Sequence, residues 1–390
     1  MKVLVCHNFY QLPGGEDNVF AAETALLESR GHQVIRYERH NSAISAMDKT
    51  DLLKRTIWNR QTVADLRQLI ETERPDVMHC HNIFPLISPS AYDVARDMNV
   101  PVVQTLHNYR LVCPKATLLR EGRICEDCLG KLLAWPAVVH ACYRDSRSAS
   151  AAVTGMLAYH WQRGTWKKAV DRYVAPSQFL KQKLVEGGFP EDAISVKPHF
   201  VAHDPGTGAG SGNYALYVGR LSPEKGVQCL LDAWALLPDQ LELKFLGDGP
   251  LADTVAAAAS ANARIEWLGH QPAATVHTMM KEAKFLIVPS IWYEPFGLCV
   301  IEAFANGTPV IASRIGAMPE LIEHGKTGFL FDPADAAALA RLAKAAFQQP
   351  DDLAQMRIAA RARYEDHCCA DANYHMLLDT YRRAIPVRNR

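Results

Sequence analysis

At 390 residues the chain exceeds the ~250 to 300 at which a single hydrophobic core stops growing, so two domains are expected. Its 42 Lys and Arg against 42 Asp and Glu exclude the global positive field that nonspecific nucleic-acid binding needs. The opening Met1-Lys2-Val-Leu-Val-Cys6 is too short for a signal-peptide core, and no run approaches the ~20 apolar residues of a membrane span. A cytoplasmic protein with its ten cysteines reduced is therefore expected.

Short β-rich runs, each followed by a helical pattern, open the chain: Lys2 to Cys6, Gln33 to Tyr37, Asp76 to Cys80, Pro101 to Thr105 and Arg172 to Ala175. That alternation predicts a parallel sheet with helices on both faces. After the first strand, Tyr10 to Asn18 carries Gly14 and Gly15 ahead of a helix running to about Arg30 and ended by Gly31. A plain strand-to-helix turn accounts for these glycines as well as a ligand would. In such sheets ligands bind beyond the carboxyl ends of the strands. His79-Cys80-His81-Asn82 is one such strand end and reads as site lining; His107, directly after Pro101 to Leu106, is another.

Cys113, Cys125, Cys128 and Cys142 follow with the spacing C-x11-C-x2-C-x13-C, whose central knuckle matches half of a structural zinc site; four free thiols are the alternative. Between Arg144 and Lys183 there are eight basic and two acidic residues, with Trp161 and Trp166 among them. This mix suits an anionic lipid surface, though it equally describes a solvated helix face. The Gly- and Ser-rich His203 to Gly212 has the composition of a flexible linker.

The alternation restarts with Tyr214 to Gly219, Leu241 to Gly247, Arg264 to Leu268, Phe285 to Pro289 and Pro309 to Ser313. The first of these runs into a turn bearing Arg220 and Lys225, cations able to neutralise a diphosphate, although loop Lys and Arg are commonly just solvated. Ser290 to Gly307 predicts a loop holding Glu294, then a helix opening near Phe296 or Gly297 and stopped by Asn306-Gly307. Its free amides and positive dipole end suit phosphate oxygens, and Gly297 allows close approach. Glu302, little more than a turn further on, is placed to accept two hydrogen bonds from a vicinal diol such as a ribose.

Tyr217-Val-Gly-Arg-Leu-Ser-Pro-Glu-Lys-Gly226, the strand ending Phe245-Leu-Gly-Asp-Gly-Pro250 and Glu294-Pro-Phe-Gly297 with Glu302-Ala303 occur in one order. Together they resemble glycosyltransferase family 4, the retaining GT-B enzymes, across essentially the whole chain. The resemblance implies an α/β GT-B fold of two Rossmann-like, doubly wound domains facing a central cleft. Residues 1–198 would form an acceptor-binding domain and 199–371 a nucleotide-sugar donor domain, with a C-terminal helix at about 372–390 packing back on the first. It also implies a metal-independent, retaining transfer from a nucleotide-diphosphate sugar to a glycan or polyprenyl-diphosphate-linked saccharide, in polysaccharide or glycolipid synthesis, peripherally on the inner face of the membrane.

Residue by residue, the resemblance assigns Arg220 and Lys225 to the diphosphate, Glu302 to the ribose, and Glu294 with the Phe296, Gly297 and Leu298 backbone to sugar and phosphate. Gly15 is assigned to the phosphates and His107 to the donor sugar. Retention implies a front-face route in which the departing phosphate takes the acceptor proton, so His107 orients rather than acts as an obligatory base. One departure is Ala317 in Gly316-Ala-Met-Pro-Glu320, where many relatives have a second glycine; Glu320 is read as structural. An epimerase on the same frame and a noncatalytic sugar-nucleotide sensor stay open. A nicotinamide dehydrogenase would require a Gly-x-Gly-x-x-Gly turn that neither half provides.

Overall fold

The computed structural model describes residues 1–11, 14–237 and 241–385. The chain separates into two compact units. Unit 1 holds Met1–Leu118, Cys125–Ala202 and the segment from Ala370; unit 2 holds Leu119–Ile124 and His203–Cys369.

The strands of the first half are β1 (Lys2–Phe9), β2 (Gln33–His40), β3 (Val77–Cys80), β4 (Val102–Thr105), the two-residue hairpin strands β5 (Leu119–Arg120) and β6 (Arg123–Ile124), β7 (Arg172–Ala175) and β8 (Ile194–Val196). Apart from the hairpin they form one parallel sheet in the order β2-β1-β3-β4-β7-β8. Every residue of β3 and β4 is buried, as helices on both faces require, which is why these strands read as runs rather than alternations. Strand order reverses between β1 and β3, so the segments following those two strands flank a crevice at the sheet's carboxyl edge.

The C-terminal helix is Ala370–Ala384. It belongs to unit 1 because Leu377, Tyr381 and Ala384 pack among Val3, Val5, Phe20, Leu27, Val103 and Val174. Asn373 adds a polar tie, donating to the Pro198 carbonyl at 2.6 Å and accepting from Lys197 Nζ at 3.1 Å. The helix was expected to extend to 390; residues 386–390 lie outside the described residues.

Unit 2 repeats the architecture with β9 (Tyr214–Val218), β10 (Glu242–Leu246), β11 (Ile265–Trp267), β12 (Phe285–Val288), β13 (Val310–Ser313) and β14 (Gly328–Phe331), all parallel in the order β11-β10-β9-β12-β13-β14. Its core is built on Trp234, Phe245, Phe285 and Leu339. The order reverses between β9 and β12. The Arg220–Lys225 turn follows one of these strands and the Glu294 loop follows the other.

The segment His203–Gly212 corrects the expectation of a flexible linker. It carries no regular structure, yet the N–H groups of Gly208, Gly210 and Gly212 donate to the carbonyls of Asn306, Lys281 and Glu282 at 2.9 to 3.0 Å. Arg357 Nη2 binds the Gly208 carbonyl at 2.9 Å. A Cβ at Gly208 would lie 2.3 Å from Lys281 Cβ, and one at Gly212 would lie 2.5 Å from Tyr214 Cε1. The glycines serve close packing against unit 2 rather than freedom of the chain.

Candidate functional site

In unit 2 the two expected loops are stitched together by the backbone. The Ile291 N–H donates to the Glu224 carbonyl at 2.9 Å. Gly226 ends the short 3-10 turn Pro223–Lys225 at φ 71°, where a Cβ would fall 1.8 Å from the Pro289 carbonyl oxygen. No side chain fits there, so the β9 turn is held against the end of β12. Gly247, at φ 132°, is equally constrained, since a Cβ would lie 1.9 Å from the Gly219 carbonyl oxygen.

The Glu294 carboxylate is buried and accepts from Lys225 Nζ at 2.7 Å and from Ser290 Oγ at 2.6 Å. Sequence assigned Lys225 and Glu294 to different parts of a ligand; the structure pairs them. Burial lowers the Lys225 pKa, but its interactions with Glu294, Cys299 and Glu224 carry it above the ordinary lysine value, so it is a cation throughout the physiological range. Its ammonium also lies 5.2 Å from the Trp292 ring centroid. Trp292 was passed over in the sequence. Its Nε1–H is buried with no acceptor among the described residues, which makes it a spare donor beside Lys225.

Arg220 is exposed, and among the described residues its guanidinium has no carboxylate partner. The helix following the loop is Leu298–Ala305, capped by Gly297 at φ 123° and stopped at Asn306 and Gly307, as the sequence predicts. Of its first-turn amides, that of Val300 donates to the Gly297 carbonyl at 3.0 Å, which leaves those of Leu298 and Cys299 without a backbone acceptor in the helix. A Cβ at Gly297 would also meet Met318 Cε at 2.6 Å, so packing as well as ligand approach accounts for this glycine. Phe296 is buried. Glu302 projects from the helix with no hydrogen-bond or ion-pair partner for its carboxylate among the described residues, and burial raises its pKa above the ordinary value. Such a group gains most from a ligand that supplies two O–H donors.

Ala317 needs no glycine. It sits at φ −78°, fully buried, and its N–H donates to the Glu294 carbonyl at 2.9 Å. The required glycine is Gly316, whose Cβ would lie 2.5 Å from both backbone N and O of Glu294.

In unit 1, Gly15 opens the helix Gly15–Ser29, and Gly14 caps it with φ −136° and nothing within 4 Å of an added Cβ. Packing within the described residues does not demand glycine at Gly14. Glu16, unremarked in the sequence, accepts from Tyr10 Oη at 2.9 Å and from Asn108 Nδ2, binding this loop to the one that carries His107. Behind them lies a stack of histidines. His107 Nε2 is 3.1 Å from His81 Nδ1, and the His107 ring stacks on His81 and His199 at 5.3 and 5.2 Å. His79 is bonded to Tyr381 Oη and Thr105 Oγ1, each at 2.8 Å, and His7 to Asp17 at 2.7 Å. Burial is the largest influence on all five and pushes each pKa down, His79 to about 4 and His199 to about 3, so all are neutral at pH 7. Glu23 and Lys197, both buried, form an ion pair at the base of the stack.

Among the described residues, one group of three metal-ligand atoms lies within 4.8 Å of one another: those of Glu23, His79 and His81. It is already closed. Lys197 supplies the countercharge to Glu23, and both nitrogens of His79 have partners. At the cysteines, burial first and then the neighbouring Cys113 push the Cys128 thiol up to about 12, with Cys142 and Cys125 adding to it; no three of the four sulfurs lie within 4.8 Å of one another.

The basic stretch from Arg144 is partly recast. Trp166 is core, not surface, and Trp161 packs on Phe189 at 4.9 Å. The exposed apolar side chains lie just upstream, at Leu132 (55% exposed), Leu133 (54%), Trp135 (56%) and Val139 (52%).

Comparison with known proteins bears on the family and the fold. The family "Glycosyl transferases group 1" matches residues 204–363, and "Glycosyltransferase Family 4" matches residues 13–204. The glycogen synthase of Mycobacterium tuberculosis is 28% identical over 308 residues, covering 74% of this chain but only 64% of its own length. Anabaena Alr3699/HepE, solved in complex with UDP-glucose, superposes with a TM-score of 0.68 at 18% identity, covering 97% of this chain and 99% of that one. Sucrose-phosphate synthase of Thermosynechococcus elongatus gives 0.74 at 16% identity, covering 99% of this chain and 100% of the other. These likenesses show two Rossmann-like units of the GT-B type.

Proposed function

Because this chain belongs to glycosyltransferase family 4, the group 1 glycosyl transferases, we propose that it transfers a sugar, with retention, from a nucleotide-diphosphate sugar to a saccharide or polyprenyl-diphosphate-linked acceptor. The observation that carries this reading is the concentration of unspent binding capacity at the β9/β12 switch point. There the Arg220 guanidinium, without a carboxylate partner among the described residues, the Lys225 ammonium, of whose protons Glu294 takes one, and the Leu298 and Cys299 amides lie on the two loops and helix that also present the Glu302 carboxylate, likewise without a partner among those residues. Cations and amides answer a pyrophosphate, whereas an acceptor-only carboxylate answers a diol.

As the sugar bond breaks, negative charge grows on the leaving diphosphate, and fixed positive groups stabilise that state more than the ground state. These side chains supply the countercharge a metal would otherwise provide. Glu294, held by Lys225 and Ser290, and the Phe296–Leu298 backbone are assigned to the sugar and the adjoining phosphate. Gly15 is assigned to the phosphates and His107 to a sugar hydroxyl. The UDP-glucose complex of the Anabaena neighbour favours UDP as the first donor base to try. Screening UDP, GDP and ADP by thermal unfolding is expected to single out one, raising stability by ~2.7 kcal/mol at a hundred times its dissociation constant. A flat response to all three removes the donor assignment.

Attachment to an anionic membrane surface is the second part of the proposal. Among the described residues no helix is long and apolar enough to cross a membrane. Leu132, Leu133, Trp135 and Val139 instead offer a compact apolar tip, bracketed in sequence by Lys131, Arg144 and Arg147. Replacing the three residues Leu132, Leu133 and Trp135 with serine is expected to abolish sedimentation with phosphatidylglycerol vesicles. Equal sedimentation of both proteins defeats the assignment.

A structural zinc at Cys113, Cys125, Cys128 and Cys142 is the third part, supported by their soft ligand chemistry and by the Cys125–Cys128 knuckle spacing. Protein purified under reducing conditions is expected to carry about one equivalent of zinc, and less than ~0.2 rejects the site.

A further inference from the structure

The histidine stack has an internal logic that the proposed transfer leaves unused. Lys197 donates to Glu23 Oε1, while Glu23 Oε2 is buried and accepts no hydrogen bond from the described residues. Burial raises the Glu23 pKa, and Lys197 with the neighbouring histidines more than reverses this, so the carboxyl is ionised and can only accept. Two imidazole nitrogens face Oε2. His79 Nδ1, at 4.0 Å, is already bonded to Tyr381; His81 Nε2, at 3.5 Å, has no other partner among the described residues.

We propose that Glu23 and His81 are positioning residues that hold His107 in its Nε2–H tautomer, so that His107 presents the lone pair of Nδ1 and accepts a hydrogen bond from a sugar hydroxyl. Neutral His81 has one ring proton to place. On Nε2 it points at the Glu23 carboxylate. On Nδ1 it would leave two lone pairs facing each other at 3.5 Å in a buried volume, with nothing to compensate either. With the proton on Nε2, His81 Nδ1 is an acceptor, and its partner at 3.1 Å, His107 Nε2, must donate. Neutral His107 then has no proton left for Nδ1.

Two further observations agree. His107 Nδ1 is not among the buried atoms left without a partner, so it keeps access to solvent and to a ligand. His7, in the same cluster, is set the same way round: Nε2 faces the Asp17 carboxylate at 2.7 Å, and Nδ1 accepts the Asn82 N–H at 3.3 Å. A carboxylate behind a ring nitrogen fixes which face of the imidazole is the acceptor, much as outer partners orient metal-bound histidines.

The inference rests on the assignment of His107 to the sugar, and the test separates the two. In ligand-free protein labelled with 15N-histidine, the His107 resonance (identified by its loss in His107→Ala) is expected to show a protonated Nε2 and an unprotonated, pyridine-type Nδ1. An Nδ1–H signal overturns the proposal. In the double variant Glu23→Leu, Lys197→Met, which buries no unpaired ammonium, nothing at position 23 is left to accept from a proton on His81 Nε2, whereas a proton on Nδ1 can still be donated to His107 Nε2. Both His81 and His107 are then expected to invert to Nδ1–H, and a folded double variant whose His107 keeps its tautomer also overturns it. Titration of His107→Ala with UDP-glucose and with UDP tests the other assignment. At least tenfold weaker binding of the sugar nucleotide alone is expected, and equal loss or no loss for both removes the sugar contact while leaving the tautomer result intact.

Discussion

Unit 1 is expected to lose stability steeply as the pH falls from 6.5 towards 5. His7, His79, His81, His107 and His199 are all held below the ordinary imidazole value of 6.5, burial being the largest cause in each. Their folded pKa values are depressed, so the unfolded chain binds more protons below 6.5. The stability they contribute is present above that pH and is lost as the pH drops towards their folded values. A group whose folded value lies well below the working pH costs up to ~1.4 kcal/mol per pH unit; His79, at about 4, and His199, at about 3, together cost up to ~3 kcal/mol per unit, and His7, His81 and His107 add losses of the same sign. Against a typical domain stability of about 5 to 15 kcal/mol, that is a large share of the stability lost between pH 6.5 and 5. Glu23, also depressed, adds a loss in the same direction, but only below the ordinary carboxylate value of 4.5. Denaturant titrations at pH 7, 6 and 5 measure this directly, and a midpoint unchanged across that range defeats the neutral-stack description.

Removing the two donor cations is expected to reduce turnover by 10² to 10⁴, because a charge-assisted hydrogen bond is worth ~1.5 to 3 kcal/mol and two are lost. The two positions will not behave alike. Arg220 is exposed and has no carboxylate partner among the described residues, so Arg220→Ala is expected to cost about 10- to 100-fold in kcat/KM with no change in Tm. Lys225 is the partner of a buried carboxylate, so Lys225→Ala leaves Glu294 with Ser290 as its remaining side-chain donor and is expected to lower Tm as well. Steady-state kinetics with the donor found by the thermal screen, run beside melting curves, separate the effects. Full turnover by the double alanine variant ends the diphosphate assignment.

Much of the fold was readable from the sequence because parallel strands buried on both faces leave continuous apolar runs. β8 and β14 were missed for local reasons. The first spans three residues, and the second begins at Gly328, where a Cβ would lie 2.0 Å from the Val310 carbonyl oxygen. Composition misread His203–Gly212 because glycine demanded by a crowded neighbour looks the same as glycine granting freedom. Trp166 misled in the opposite way, an aromatic residue in basic company that proves to be core. The donor-side residues could be read because they sit in two compact stretches, yet the Lys225–Glu294 pair spans 69 positions and was not foreseen. The histidine stack was less accessible still, since its contacts join residues as far apart as His79 and Tyr381, 302 positions away, and no periodicity encodes that.

The crowding around Gly226 and Gly316 bears on how a pseudoenzyme would look. Both glycines are demanded by carbonyl and amide groups of the protein's own backbone, at 1.8 and 2.5 Å from where a methyl would sit. A duplicate copy that had abandoned catalysis would still have to keep them in order to fold, and so would still carry much of the signature. Arg220 and the Glu302 carboxylate have no such internal duty, so their erosion is the earliest sign by which a silent copy would betray itself.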